Sequence, residues 1–299
     1  GARYLHAAPM FHIADSLFTH IISLIGGTHT ILRRFTPTDF ADAIVKDSVE
    51  VTMLVPTMIG MVMADEAVAS KAFNRLQRLF YGASPMPEAL MRGLLTRFAA
   101  LKLYQLYGQT ESSPVLTILP PEWHGLDDRH AAKARAAGRP MLGTEVRIVD
   151  AEDRELPIGQ IGEIVARGPQ VMSGYWQRLA ETEAALRGGW LHTGDAGLID
   201  EDGFVYVADR IKDMIITGGE NVYSVEVEQA IYQMSGVAQC CVIGLPHEKW
   251  GESVHAIVVP ITGADLSEPK ILAHCMPLLA DYKRPRSASV RTAPLPLSG

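Results

Sequence analysis

The sequence predicts an α/β fold in three stretches: a parallel α/β part, a small antiparallel β region, and a compact α+β unit. Three observations predict it. Apolar runs of strand length alternate with helically spaced segments as far as Leu106. From Gly143 the pattern changes to in–out alternation broken by Asp, Glu, Gly and Pro. Beyond Arg210 helix and strand signals follow each other at short spacing, so the chain divides into domains at 1–210 and 211–299.

The elements follow in order. Thr38 caps a helix reaching Val45, with Phe40, Ile44 and Val45 on its apolar face. Val49 to Val55 reads as a buried strand stopped by Pro56, which has no N–H to donate. Leu76 to Tyr81 is a second strand. It turns at Gly82-Ala83-Ser84 into a helix opened by Pro85 and Pro87, with Leu90, Leu94 and Phe98 at helical spacing. Leu101 to Leu106 returns as a strand ending at Tyr107-Gly108. Strand, helix, strand with short links predicts parallel pairing through right-handed crossovers. His130 to Ala137 is a low-complexity tract, read as an exposed helix or mobile loop.

The antiparallel region holds Val146–Val149, Gly162–Ala166 and Gly203–Val207. The last unit has a helix at Val225–Met234 and strands at Val237–Ile243 and Val254–Val259. A helix near Pro269–Leu279 and a strand near Ser287–Arg291 complete it.

Composition removes whole classes of function. The 299 residues are 47% hydrophobic, enough for ordinary buried cores in two domains. A net charge of −7 gives no electrostatic footprint for a nucleic-acid partner. The longest uncharged apolar stretch, Thr52 to Ala64, contains Pro56 and is too short to span a bilayer. No transmembrane segment is expected, while peripheral contact with a membrane stays open. Gly1 to Tyr4 carries no apolar signal-peptide region. Cys240, Cys241 and Cys275 form neither a disulfide framework nor a metal pattern, which reads as reduced thiols in a cytoplasmic protein. The ten histidines show no ligand-type pairing, so no structural metal is expected.

Four places carry candidate chemistry. Gly82-Ala83-Ser84 sits where a strand meets a helix, and small residues there let a planar ligand approach the backbone. Taken alone it reads more readily as a plain tight turn. Tyr107-Gly108-Gln109-Thr110-Glu111 presents a hydroxyl beside a carboxylate at the sheet's rim, suited to a phosphate oxygen and its Mg²⁺. It also fits a helix N-cap with an acidic first turn. Asp195, after Thr193-Gly194, can accept two hydrogen bonds from a ribose diol, each worth about 1.5–3 kcal/mol to an ionised group. Arg210 can reach a sugar or phosphate with its planar fork. A loop aspartate and a surface salt bridge worth about 0–1 kcal/mol are the bland readings of that pair.

Taken in series these stretches are more specific than any of them alone. Pro9-Met10-Phe11-His12, Gly82–Ser84, Tyr107–Glu111, Gly189–Asp195, and Asp209–Asp213 followed by Gly218-Gly219-Glu220-Asn221 fall in one order. That order resembles the AMP-forming acyl-CoA synthetase and adenylation superfamily, and the resemblance runs almost end to end. It implies that residues 1–210 are the C-terminal portion of a large adenylate-forming domain, and 211–299 a small mobile C-terminal domain.

The resemblance also implies roles. Gly82, Ala83 and Ser84 border the adenine, and Tyr107, Gly108 and Gln109 line the nucleotide. Thr110 and Glu111 serve the phosphates, Glu111 also holding Mg²⁺. Asp195 holds the ribose hydroxyls and Arg210 contacts the nucleotide. His12 is the residue at the junction of acyl pocket and thiol tunnel. Lys212 matches the hinge, and Gly218 and Gly219 the loop beside the pantetheine path. The implied reaction uses ATP, Mg²⁺ and CoA to turn a carboxylic acid into its acyl-adenylate and then its thioester. Leu245–Glu252 and Gly219–Tyr223 look most like fatty-acyl or medium-chain members.

Two departures accompany the resemblance. The family's Thr/Ser/Gly-rich phosphate loop with its lysine is expected upstream of Gly1. Leu295 to Gly299 resembles the lead-in to a C-terminal Gly-Lys. The residues at hand are therefore expected to be a fragment with little adenylating activity by itself. Two rivals stand: an adenylation domain that loads a carrier protein, for which Asp15 is a poor match to the acyl-pocket aspartate, and a non-catalytic adenylate- or CoA-binding module.

Overall fold

Segments of four to six residues pair in parallel as β1 Arg3–His6, β2 Thr28–Ile31, β3 Val51–Leu54, β4 Arg78–Gly82 and β5 Lys102–Tyr107. This computed structural model describes residues 1–296. The strands lie in the order β2-β1-β3-β4-β5, extended antiparallel by β6 Thr117–Leu119 and β7 Arg139–Pro140. β3 is buried at every position, as a central parallel strand covered on both faces must be. The covering helices are α1 Ile13–Leu24, α2 Pro37–Lys46, α3 Pro56–Met63, α4 Glu66–Phe73 and α5 Glu88–Arg97. Phe40, Ile44, Leu54, Ile59, Phe73, Leu79, Leu94 and Leu103 form much of one core cluster. Each large side chain removed from water there contributes about 1.5–3 kcal/mol.

The expected parallel crossovers are present, with local corrections. Helix α2 is capped by Thr36, not Thr38: the Asp39 N–H donates to Thr36 Oγ1 at 3.1 Å. Pro37 occupies the first turn, where its missing N–H costs nothing, so the helix starts earlier. Pro56 ends the strand before it and opens α3, splitting the Thr52–Ala64 run into strand and helix. The His130–Ala137 tract falls partly in α6 Asp128–Lys133, but Ala136 and Ala137 are buried, so its second half is core. Ala136, being small, packs with Phe204 and Leu119.

A second sheet, of order β11-β10-β9-β8, contains β8 Glu145–Val149, β9 Gly162–Arg167, β10 Leu191–Ile199 and β11 Val205–Arg210. Between β9 and β10 lies α7 Leu179–Ala185. Asp195 therefore lies in a strand, not in the loop of its bland reading. Two of that strand's polar residues are matched from β9: Thr193 Oγ1 donates to the Ile164 carbonyl at 2.6 Å, and His192 Nδ1 lies 2.8 Å from Glu163.

The third sheet runs β13-β12-β15-β14, with β16 beside β15. It comprises β12 Ile215–Thr217, β13 Glu220–Val222, β14 Val237–His247, β15 Gly251–Pro260 and β16 Ser287–Val290. Helices α8 Ser224–Tyr232 and α9 Glu268–Cys275 accompany it, and Val227, Ile231, Val242, Ala256, Val258 and Ile271 are in its core. The chain divides into two compact units, the second comprising residues from Ala208 onward together with Pro87–Ala89 and Gly194–Ala196. Leu297 to Gly299, part of the expected Gly-Lys lead-in, lie outside the described residues. Among the described residues no helix is long and apolar enough to cross a membrane.

Candidate functional site

Because β1, β3, β4 and β5 run in one direction, the segments that follow them leave from one edge of the sheet. Open α/β sheets take ligands at that C-terminal edge. Three of the expected stretches emerge there: the segment leading to His12 after β1, Gly82–Ser84 after β4, and Gly108–Glu111 after β5. His12 is exposed and heads α1, its carbonyl accepting from the Asp15 and Ser16 amides.

Gly82 and Leu106 are register partners in neighbouring strands. A Cβ at Gly82 would stand 2.2 Å from the Leu106 carbonyl oxygen, so the close approach that demands glycine is made by β5 itself. Ala83 follows with φ 66° and is exposed, which turns the backbone outward before Ser84. At the end of β5, Gly108 is pressed as tightly: its Cβ would lie 2.0 Å from the Pro114 carbonyl oxygen. The Leu116 amide donates to the Tyr107 carbonyl at 2.7 Å, closing the loop. Inside it, Thr110–Ser112 form a single 3₁₀ turn. Ser112 is fully buried and locks that turn, donating to the Gln109 carbonyl at 2.9 Å and accepting the Gln109 N–H at 3.0 Å.

Thr110 is exposed and Glu111 half-buried. Tyr175 Oη donates to Glu111 Oε1 at 2.7 Å, and the Met172 N–H donates to the Glu111 carbonyl at 2.8 Å. Burial, then the Glu111 bond, push the Tyr175 phenol up to about 12, so it is a donor at neutral pH. Glu111 Oε2 accepts no hydrogen bond from a described side chain. One open carboxylate oxygen beside a hydroxyl fits Mg²⁺, which takes one or two carboxylates and completes its shell from water and phosphate. Among the described residues no three His, Cys, Asp or Glu gather as a metal cage.

Beneath this edge lies a polar network that no local sequence pattern signals. Tyr81 Oη lies 3.1 Å from Gln105 Oε1 and 2.9 Å from His124 Nε2, with His124 Nδ1 3.0 Å from the Pro120 carbonyl. Burial lowers the His124 imidazole to about 4, so it is neutral at pH 7. Asp15 is fully buried, held by Tyr4 Oη at 2.9 Å and His6 Nδ1 at 2.7 Å. Each of its carboxylate oxygens thus has a partner on β1.

Asp195 and Arg210 fall in segments grouped with the second unit, on the neighbouring strands β10 and β11. Asp195 is half-buried and Arg210 exposed. Asp209 is buried instead, accepting the Arg210 N–H at 2.8 Å and the Ser224 N–H, which ties β11 to the start of α8. Lys212 is exposed on a single 3₁₀ turn, Ile211–Asp213, between β11 and β12. Gly218 and Gly219, with φ 62° and 86°, make the two-residue turn joining β12 to β13. Glu228 on α8 was missed by sequence reading. Its carboxyl, raised to about 7 by burial, accepts the Val242 N–H at 2.9 Å.

Fold and edge together define a class: an open α/β protein with a glycine turn and a hydroxyl–carboxylate pair at adjacent strand ends, continued by an α+β unit. The chain belongs to the AMP-binding enzyme family, whose model matches residues 1–176, and a model for the family's C-terminal domain matches residues 226–299. A feruloyl-CoA synthase from Amycolatopsis is 39% identical over 99% of this chain and 59% of its own length. A fatty acid–[acyl-carrier-protein] ligase from Streptomyces coeruleorubidus is 37% identical over 95% of this chain and 54% of its own. The o-succinylbenzoate CoA synthetase of Bacillus subtilis, in complex with its acyl-adenylate intermediate, superposes with a TM-score of 0.84. It is 30% identical and covers 98% of this chain and 57% of that one. The chain thus spans little more than half the length of these relatives.

Proposed function

We propose that the intact protein activates a carboxylic acid with ATP, forming an acyl-adenylate and pyrophosphate, and then passes the acyl group to the thiol of CoA with release of AMP. The observation that carries this reading is the placement of Gly82–Ser84 and Gly108–Glu111 at the ends of the adjacent strands β4 and β5. A carboxylate is a poor electrophile because its charge repels nucleophiles, and joining it to AMP supplies a good leaving group. Positioning and charge neutralisation do most of the catalysis in transfers at phosphorus. In this reading the Gly82–Ser84 turn borders the adenine, and Thr110 and Glu111 face the phosphates. Bound Mg²⁺ would supply neutralisation of phosphate charge. Asp195 takes the ribose hydroxyls, Arg210 contacts the nucleotide, and Lys212 is the hinge between the two half-reactions. His12 faces the acyl group, and the Gly218-Gly219 turn borders the path of the thiol arm.

The acid is proposed to be apolar, of fatty-acyl or aryl type, with the fatty acid as first choice. The relatives named above include both kinds. With the intact protein, trapping the adenylate with hydroxylamine should give more hydroxamate from octanoate than from ferulate or benzoate. Preference for the aryl acids overturns the fatty assignment, and no hydroxamate from any acid overturns the activation reading. The carrier-protein relative favours one alternative acceptor, a pantetheine arm on a carrier protein. Asp195→Ala should raise the ATP KM or lower kcat at least about tenfold, equivalent to about 1.4 kcal/mol. Unchanged kinetics would remove Asp195 from the nucleotide site.

A further inference from the structure

The segment between β9 and α7 reaches Glu111 twice. The Met172 N–H holds the Glu111 main-chain carbonyl at 2.8 Å, and Tyr175 Oη holds side-chain Oε1 at 2.7 Å. The segment is itself anchored: the Tyr175 N–H donates to Thr182 Oγ1 at 2.9 Å, and that hydroxyl donates to the Arg178 carbonyl at 2.7 Å. Gly174 lies so close to Thr182 that a Cβ would stand 2.6 Å from Thr182 Cγ2. The phenol is thus carried on a braced loop, 64 residues from the carboxylate it meets.

We propose that Tyr175 is a positioning residue for Glu111: it occupies Oε1, fixes the carboxylate's rotamer, and leaves Oε2 directed to the divalent cation. This rests on the reading of Glu111 given under Proposed function. The chemistry favours one oxygen for each partner. A phenol O–H to an ionised carboxylate is a short, charge-assisted bond that holds direction as well as distance. Mg²⁺ demands near-ideal octahedral geometry, so a carboxylate swinging between rotamers binds it less well than one already aimed. Tyr175 touches neither metal nor substrate in this scheme and acts through Glu111 alone.

The test is calorimetric binding of a non-hydrolysable ATP analogue to the intact protein across a Mg²⁺ titration, with AMP in the absence of metal as the reference. Tyr175→Phe keeps the ring and removes only the donor. It should raise the Mg²⁺ concentration for half-maximal analogue binding about five- to tenfold and leave AMP affinity within twofold, as expected for loss of one charge-assisted bond. An unchanged Mg²⁺ dependence overturns the proposal. So does an equal loss of AMP affinity, which marks a merely structural loop. Glu111→Gln, run alongside, separates the two levels. If it too leaves the Mg²⁺ dependence as in the wild type, the metal reading of Glu111 falls and Tyr175 falls with it; if only Tyr175→Phe is silent, the positioning alone falls. In the wild type, exchange of the Met172 amide hydrogen should slow several-fold when Mg²⁺ and analogue are added together. No slowing counts against the clasp even where the variant does not fold.

Discussion

Replacing Glu111 with Gln is expected to cut ATP–pyrophosphate exchange by the intact protein at least about 100-fold, while the melting temperature stays within a few degrees. Removing one group that stabilises developing negative charge costs about 10²–10³ in rate at an oxyanion hole, and loss of the charge that holds the metal is expected to cost as much. Gln has the volume of Glu, and its amide oxygen still accepts from Tyr175 Oη, so the loop contact survives in shape. The Met172 N–H to the residue-111 carbonyl is untouched, because it involves main chain only. Only the negative charge and one metal-capable oxygen are lost. A large fall in exchange with an unchanged fold therefore assigns the effect to charge. A fall of less than tenfold would show that Glu111 is the acidic residue of a capped turn, the reading that the sequence also allowed.

How much of this was legible depends on how far apart in sequence the interacting groups lie. The parallel strands could be read because β3 and the strand ending at Tyr81 are apolar runs closed by Pro56 and Gly82, and these signals are local. The edge motifs could be read because a strand, a glycine and a hydroxyl–carboxylate pair are consecutive. Strand β10 was missed because His192, Thr193, Gly194 and Asp195 show no apolar period; the partners of His192 and Thr193, Glu163 and the Ile164 carbonyl, lie 29 residues back on β9. Tyr175 was missed for the same reason at longer range, since nothing in its own stretch points to Glu111. Asp15 gives the reverse lesson. A buried aspartate near a motif invites a ligand role, yet Tyr4 and His6 satisfy it within the sheet.

The strongest expected effect on the fold of the site comes from a methyl group. Gly108→Ala should lower stability by about 3 kcal/mol or more, because large losses come from overpacking and from backbone strain. The added Cβ would meet the Pro114 carbonyl oxygen at 2.0 Å and the Leu116 nitrogen at 2.9 Å. Both are main-chain atoms, so no rotamer change relieves the overlap. Leu116 also donates the 2.7 Å bond to Tyr107 that closes the loop, so moving it away breaks that bond and opens the loop. Gly219→Ala is the matched control, with φ 86° but nothing within 4 Å of its Cβ. It should cost only the positive-φ penalty, about 1 kcal/mol. The two variants together separate strain from collision. If both fall equally in melting temperature, the contact at Gly108 is not the cause, and the loop yields more easily than its geometry indicates. If Gly108→Ala melts like the wild type but loses exchange activity, the loop has shifted as a body and carried Thr110 and Glu111 with it. In that outcome glycine is needed at 108 to hold the hydroxyl–carboxylate pair at the sheet's edge, and the fold tolerates the displacement that the chemistry does not.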